Sequence, residues 1–335
     1  MAQDKLTLSV RPRGKPVKKL PEETVVPSSG PCSELYTTLA SQSRTSVHRL
    51  RITKGSDGSY IPNTSSIILQ TTGLRHQSTI YVKDLGPQIP WRTVFVIEYL
   101  GPLLIHPVLY FTLPHTSISY LQHPTAYPPF SFLPALLNNP SSQSIVPSND
   151  LPSLGQTLTL IMTLLHFTKR ELETLYIHRF SASTMPAFNI FKNCGHYWGL
   201  SGLIMAFFIY VPSSSTAAVS AYSPLIYIGL ALFTVGEILN FNTHLSLRDL
   251  RKEGSTERGI PKGLGFDWVT CPNYLFELIA WLGILLVSWN WTVILFAAVA
   301  MIQMYLWSWK KERRYRKEFG AAYKKKRFAM LPGLI

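Results

Sequence analysis

Acidic residues are scarce in this chain of 335 residues: 18 Asp and Glu stand against 32 Lys and Arg, a formal balance of +14. A surplus of that size serves either a nucleic-acid surface or the edges of a membrane protein, and the position of the charge decides between them. Cysteine is scarcer still. Cys32, Cys194 and Cys271 lie far apart with no C-x-x-C pair, which supports neither a disulfide framework nor a zinc ribbon. The opening MAQDKLTLSV is too polar for a signal peptide, so the first segment is expected to stay on the side where it is made. Several catalytic signatures are also missing. Without a G-x-S-x-G elbow a serine lipase is disfavoured. The nine His form neither H-E-x-x-H nor a repeated H-x-x-x-H series, which argues against a di-iron desaturase and leaves no metal expected. GLGFDW does not complete G-x-G-x-x-G, so no Rossmann domain supplies a cofactor site.

Apolar residues are plentiful, at 46% with 12% aromatics. Their distribution divides the chain. Over residues 1–85, LTLSV, VHRLRIT and STIYVKDL are short alternating β-type runs, and SELYTTLASQS between them has helical spacing with a Ser placed to cap it. Such an order suggests a small β-grasp module or another small α+β cap. Residues 86–335 carry six apolar runs, at about 91–113, 154–174, 196–212, 222–243, 271–289 and 291–309, most of them near the ~20 residues that cross a bilayer. Basic residues alternate between the connecting loops. HTSISYLQHPTAYPPFSFLPALLNNPSSQSIVPSND and PSSSTAAVSAYSP hold no Lys or Arg, while KRELETLYIHRFSASTMPAFNIFKN and LRDLRKEGSTERGIPKG are basic and the tail from Lys310 has ten Lys or Arg against two Glu. The positive-inside rule then puts both termini in the cytosol. A nucleic-acid face has no reason to skip alternate loops, so nucleic acid is not expected as a partner and the lipid bilayer is.

Polar residues inside such spans are candidates for function, because each costs free energy in lipid unless it is paired or used. Glu98 stands seven residues past Trp91, roughly 10 Å into the first span. Asn193, His196 and Tyr197 open the third span, Asn240, Asn242 and His244 close the fourth, and Tyr274 and Glu277 open the fifth, all from the cytosolic side. Taken singly, Glu98 is as readily an ion-pair partner as a catalytic group, and Asn240 and Asn242 are more readily interhelical glue. Convergence on one depth from separate spans favours a site. Basic loops above an apolar floor suit an anionic head with a greasy or planar tail, such as a nucleotide cofactor or an acyl-CoA. A Tyr beside an intramembrane carboxylate can donate a proton to a developing carbanion, which is the equipment of a reductase of activated double bonds.

The segments KRELETLYIHRFSASTMPAFNIFKNCGHYWG, LNFNTHLSLRDLRKEG, VTCPNYLFELIAWLG and KKERRYRKEF before an LPG end follow one another in that order. From about Trp91 to the C-terminus the chain resembles the very-long-chain trans-2-enoyl-CoA reductases of fatty-acid elongation, within the wider steroid 5α-reductase family. The front module is similar to the ubiquitin-like segment of those reductases. The resemblance implies a mainly α chain, a six-span helical membrane bundle behind a ubiquitin-like β-grasp domain, multi-pass in the endoplasmic reticulum membrane. It implies NADPH-dependent reduction of a very-long-chain trans-2-enoyl-CoA to the saturated acyl-CoA, the last step of the elongation cycle that also feeds sphingolipid metabolism, with other elongation enzymes as partners. Asn240, Arg251, Asn273 and Tyr315 match the family's cofactor residues, with Glu277 close by. Glu98 falls where the family has a functional carboxylate, and Tyr274 matches the Tyr of the enoyl-CoA branch. Two departures touch the cofactor loop: His244 stands where the steroid branch has an acidic residue, and GSTERGIP lacks that branch's Tyr-Arg. A 5α-steroid or polyprenol reductase shares the same cofactor site, and a membrane scaffold without chemistry is the non-enzymatic alternative.

Overall fold

The computed structural model describes residues 5–115, 151–180, 183–212, 214–219, 223–250, 259–323 and 328–333. Arg251 with the rest of the basic stretch 251–258, and residues 116–150 of the uncharged Pro-rich loop, lie outside the described residues. Two compact units emerge, Met1–Trp91 with Ala182–Asn189, and Arg92–Ser181 with Ile190–Ile335.

The first unit is a small sheet covered by one helix. Strands β1 (Lys5–Pro12), β2 (Glu23–Pro27), β3 (Leu50–Lys54), β4 (Tyr60–Ile61) and β5 (Thr79–Asp84) lie in the order β2-β1-β5-β3-β4. Strand β1 pairs parallel with β5 and antiparallel with β2, and β3 runs antiparallel to both of its neighbours. Alternation decides which face is covered: Leu6, Leu8 and Val10 turn inward with Ile52, Ile80 and Val82. Onto them packs α1 (Cys32–Ser43) through Leu35, Tyr36 and Leu39. The Tyr36 hydroxyl donates to Ile61 O at 2.6 Å and accepts from Ile52 N at 3.2 Å, so the one polar atom of that buried ring is satisfied. The helix starts two residues earlier than its sequence signal, Ser33 as cap. Pro31 takes the cap position with no side-chain bond, which leaves Ser33 inside the first turn. A second antiparallel pair joins β6 (Gln88–Pro90) to β7 (Thr184–Pro186).

The second unit is helical. Among the described residues, three helices are long and apolar enough to cross a membrane: α2 (Trp91–Thr112), the helix of Pro224–Asp249 and the segment Trp291–Ala322. The apolar helix Pro272–Ser288 is shorter, and α3 (Leu154–Leu172) falls outside the criterion because its last turns are charged. A capping box of Ser153 and Gln156 starts α3. Residues 189–210 run through α4 (Asn189–Cys194), a π-helix (Gly195–Ile204) and α5 (Met205–Tyr210). Helices α6 (Pro224–Asp249), α7 (Pro272–Ser288) and α8 (Trp291–Phe319) complete the unit. Pro at the first position of α6 and of α7 suits a site where no backbone donor is needed.

Small residues set how closely α6 and α7 approach. A Cβ on Gly283 would meet Gly229 O and Phe233 N at 2.5 Å, and one on Gly236 would meet Ala280 N at 2.5 Å. Bare backbone therefore lies against bare backbone over two turns, the arrangement by which membrane helices associate where no hydrophobic drive separates protein from lipid. One turn beyond Gly236 on α6 stands Asn240, and one turn before Ala280 on α7 are Asn273 to Glu277. The glycine contact brings these groups within reach of one another.

Candidate active site

A cavity of about 630 Å³ lies within the helical unit. Glu98 and Tyr99 of α2, His166 and Arg170 of α3, His196 and Tyr197 of the π-helix, Asn273, Tyr274 and Glu277 of α7, and Tyr315 of α8 all line it. At least five elements thus deliver polar side chains into a wall that also holds groups such as Phe95, Leu200, Trp281 and Phe296. A π-helix turns its side chains to directions that an α-helix does not reach, and such segments recur at functional positions. Here it carries His196 and Tyr197 onto the cavity. The His196 ring stacks on Phe296 at 4.6 Å, and Tyr197 packs edge-on against Tyr99 at 5.1 Å.

The sequence-expected residues collect in this place. Glu98 is 1% exposed and its Oε2 accepts from Asn193 Nδ2 at 2.7 Å. Tyr274 lines the cavity with no hydrogen-bond partner among the described residues. Asn240 is buried behind the wall, where its Nδ2 donates to Asn273 O at 2.9 Å and to Glu277 Oε2 at 3.0 Å. Tyr315 is buried against Phe319 at 5.7 Å and Tyr323 at 5.4 Å, with the Lys311 ammonium 5.8 Å from its ring. Asn242, one position from that face of α6, points to the exterior and takes no part.

A charged network that sequence reading left aside holds these groups in position. His166 Nδ1 lies 2.6 Å from Glu237 Oε1 and its Nε2 lies 3.3 Å from Glu277 Oε1, so one imidazole bridges two carboxylates. Lys169 Nζ donates to Glu237 Oε2 and to Asn240 Oδ1, each at 2.6 Å. Arg170 donates to Glu173 Oε2 at 2.7 Å and to the Tyr99 hydroxyl at 3.0 Å, and its guanidinium sits 5.3 Å over the Tyr99 ring. Charges taken from water need this degree of pairing to be tolerated. The signal was present in LLHFTKRELE: His166 and Arg170 are one helical turn apart, on the same face of the helix.

Glu173, His178 and His244 bring ligand atoms within 4.8 Å of one another, a spacing that could hold a metal ion. Their surroundings suit an internal lock better. His244 Nδ1 is 3.0 Å from Glu173 Oε1, and the same carboxylate already faces Arg170 at 2.7 Å and Lys169 at 3.6 Å. Burial, with the Arg170 charge beside it, pushes the His178 ring down to about 3. A cation placed there would face two resident positive charges.

Nucleotide phosphates, by contrast, fit the opposite balance at the cavity's edge, where Arg179, Lys192, Arg248 and Lys311 contribute to the lining. Asn273 Oδ1 is buried without a hydrogen-bond partner and belongs to the same wall. An acceptor in that condition calls for a donor such as a carboxamide N–H.

The family described as 3-oxo-5-alpha-steroid 4-dehydrogenase matches residues 183–335. Over most of its length the chain is similar to curated proteins. It is 37% identical to the very-long-chain enoyl-CoA reductase of Dictyostelium discoideum over 92% of this chain and 93% of the relative. It is 39% identical to a Schizosaccharomyces pombe protein provisionally named an enoyl reductase, over 98% of this chain and 99% of the relative. The human protein named trans-2,3-enoyl-CoA reductase-like is 27% identical, over 80% of this chain and 68% of its own length. With polar side chains of five elements gathered in one cavity, and with likeness of this extent, the chain belongs to the family of very-long-chain enoyl-CoA reductases.

Proposed function

We propose that the protein reduces very-long-chain trans-2-enoyl-CoA to the saturated acyl-CoA with NADPH, as the last step of fatty-acid elongation. The observation that carries this reading is the meeting of Tyr274, Glu98, Asn273 and Glu277 around one cavity. Asn273 Oδ1 and Glu277 are placed to accept from the cofactor's amide, Asn240 holds both, Tyr315 contributes a face, and Arg251 with the neighbouring basic groups takes phosphate. NADPH, when held by these residues, would supply the hydride for the β-carbon of the thioester. Negative charge then gathers on the thioester oxygen as an enolate, and the Tyr274 hydroxyl gives its proton to the α-carbon. Tyr274 regains a proton from water at the open end. Glu98, fixed by Asn193, orients the reacting end or, when protonated, donates to the oxygen. Aromatic walls exclude water, which strengthens each of these interactions.

The same reading places the chain in the endoplasmic reticulum membrane with six spans and both termini cytosolic. Support for this comes from the alternating basic loops and from three apolar helices plus a shorter one. The front sheet, with its order β2-β1-β5-β3-β4 and single packed helix, accords with a ubiquitin-like β-grasp domain over 1–85 preceding a reductase domain over 86–335. Other elongation enzymes are the expected neighbours. A 5α-steroid or polyprenol substrate is the second reading, favoured only by the family match to residues 183–335.

The test is NADPH oxidation by the purified protein on a long-chain trans-2-enoyl-CoA, with Tyr274→Phe and Glu98→Gln alongside. Loss of a general acid costs about 10²- to 10⁴-fold in kcat, and that loss is expected for Tyr274→Phe while NADPH still binds. Turnover of a steroid in place of the thioester would transfer the assignment to the second reading.

A further inference from the structure

The π-helix and α8 both border the cavity. Ties from the π-helix and from α4, which precedes it, reach α8. His196 stacks on Phe296 at 4.6 Å, and Lys192 Nζ donates to Gln303 Oε1 at 3.3 Å. Seven residues separate Phe296 from Gln303, so roughly 10 Å of helix axis lies between the two ties. Within that interval Gly195, Val299 and Ala300 line the cavity. Gly195 is at the same time exposed, as is Val299 at 39%. A Cβ built on Gly195 would meet nothing within 4 Å. Residues that face an interior space and the exterior together mark a window, and its outer margin is apolar, with Leu203, Ile302 and Leu306 exposed.

A cavity of about 630 Å³ is of the size that encloses one drug-sized molecule, roughly 300–1,000 Å³. The nicotinamide end of a dinucleotide and the thioester end of an acyl-CoA already occupy such a space. A very long alkyl tail must leave it, and bilayer hydrocarbon is as apolar as any protein tunnel lined with leucine. We propose that the acyl tail of the substrate passes through this window, between Gly195 on one side and Val299 and Ala300 on the other, into the bilayer. The assignment rests on the enoyl-thioester reading. It lets one site accept tails of many lengths, because only the first few carbons lie against protein.

Full-length protein in lipid nanodiscs, as wild type, Gly195→Trp and Ala300→Trp, would be assayed with four-carbon and twenty-carbon trans-2-enoyl-CoA. The two substitutions plug the window from opposite elements, so either one decides the question if the other does not accumulate folded. The ratio of kcat/KM for the twenty-carbon over the four-carbon thioester is expected to fall about tenfold or more, the equivalent of about 1.4 kcal/mol. A ratio within about twofold of wild type in the folded variants, the scatter of context, would overturn the window. A wild type that reduces neither thioester would overturn the enoyl reading, and the window assignment with it.

Discussion

Asn240 is the residue on which most of the site's geometry turns. Its amide donates to Asn273 O and Glu277 and accepts from Lys169, so three partners on two other helices depend on it. Replacing it with Ala leaves the half-buried Lys169 ammonium and Glu277 carboxylate each short of a partner, at no more than about 1–3 kcal/mol apiece. Asn240→Ala should therefore lower the unfolding midpoint in detergent and raise KM for NADPH more than KM for the thioester. Equal changes in both KM values would contradict the proposal that Asn240 supports the cofactor's site. In the front unit, Asp84 accepts from Arg49 Nε at 3.1 Å and from Gly86 N at 2.8 Å. The Arg49 hydrogen bond, followed by that of Gly86 N, holds the Asp84 carboxyl below the usual range. The unfolded chain therefore takes up this proton at a higher pH than the folded one. The pair's contribution is full above the ordinary carboxylate value near 3.8 and is lost as pH falls through the lower folded value. Arg49 is 36% exposed, so Asp84→Asn should cost only about 0.2–1 kcal/mol at pH 7. That difference should vanish in acid, as melts of the front unit's signal at pH 7 and below pH 3.8 would reveal.

Among the elements, the contact of α6 with α7 leaves least room for change. Gly236→Val would drive a side chain into the Ala280 backbone and separate the two helices. Overpacking of this kind costs typically about 1–3 kcal/mol, and turnover should fall with stability because Asn240 and Glu277 would part. A fully active Gly236→Val protein of wild-type stability would sink the close-contact account. This scale also shows what the sequence made legible. Residues of α2, α6, α7 and α8 are long apolar runs, and LTLSV and STIYVKDL became β1 and β5, whereas VHRLRIT divides into a 3-10 turn over Val47–Arg49 and β3 from Leu50. The short strands β2 and β4 escaped notice, since five and two residues carry too little alternation. The π-helix escaped as well, because its wider turn sums over the same apolar residues as an α-helix and leaves no period of its own in Gly195–Ile204. At the site, isolated polar residues in apolar runs stood out, which is how Glu98, Asn240, Tyr274 and Glu277 were found. His166, Lys169 and Arg170 did not, because they lie at the charged end of α3, where basic residues serve equally as a helix terminus and a topology signal.

Across the whole molecule, the proposed topology puts the basic and the uncharged loops on opposite sides of the membrane, which can be measured directly. In sealed microsomes lacking the native reactive thiols, Lys18→Cys and Arg313→Cys should react with a membrane-impermeant maleimide added outside, and Ser142→Cys should not. Opposite reactivity of the two termini would require an odd number of spans. The central claim, hydride delivery to an enoyl thioester with proton transfer from Tyr274, meets its most direct test in isotope tracing. The protein would be given a twenty-carbon trans-2-enoyl-CoA and NADPH deuterated at the transferable C4 position, and the product analysed by mass spectrometry. The account predicts one deuterium at the β-carbon of a saturated acyl-CoA and almost no labelled product from Tyr274→Phe. Saturated product without deuterium at the β-carbon, or full labelling by Tyr274→Phe, would contradict it.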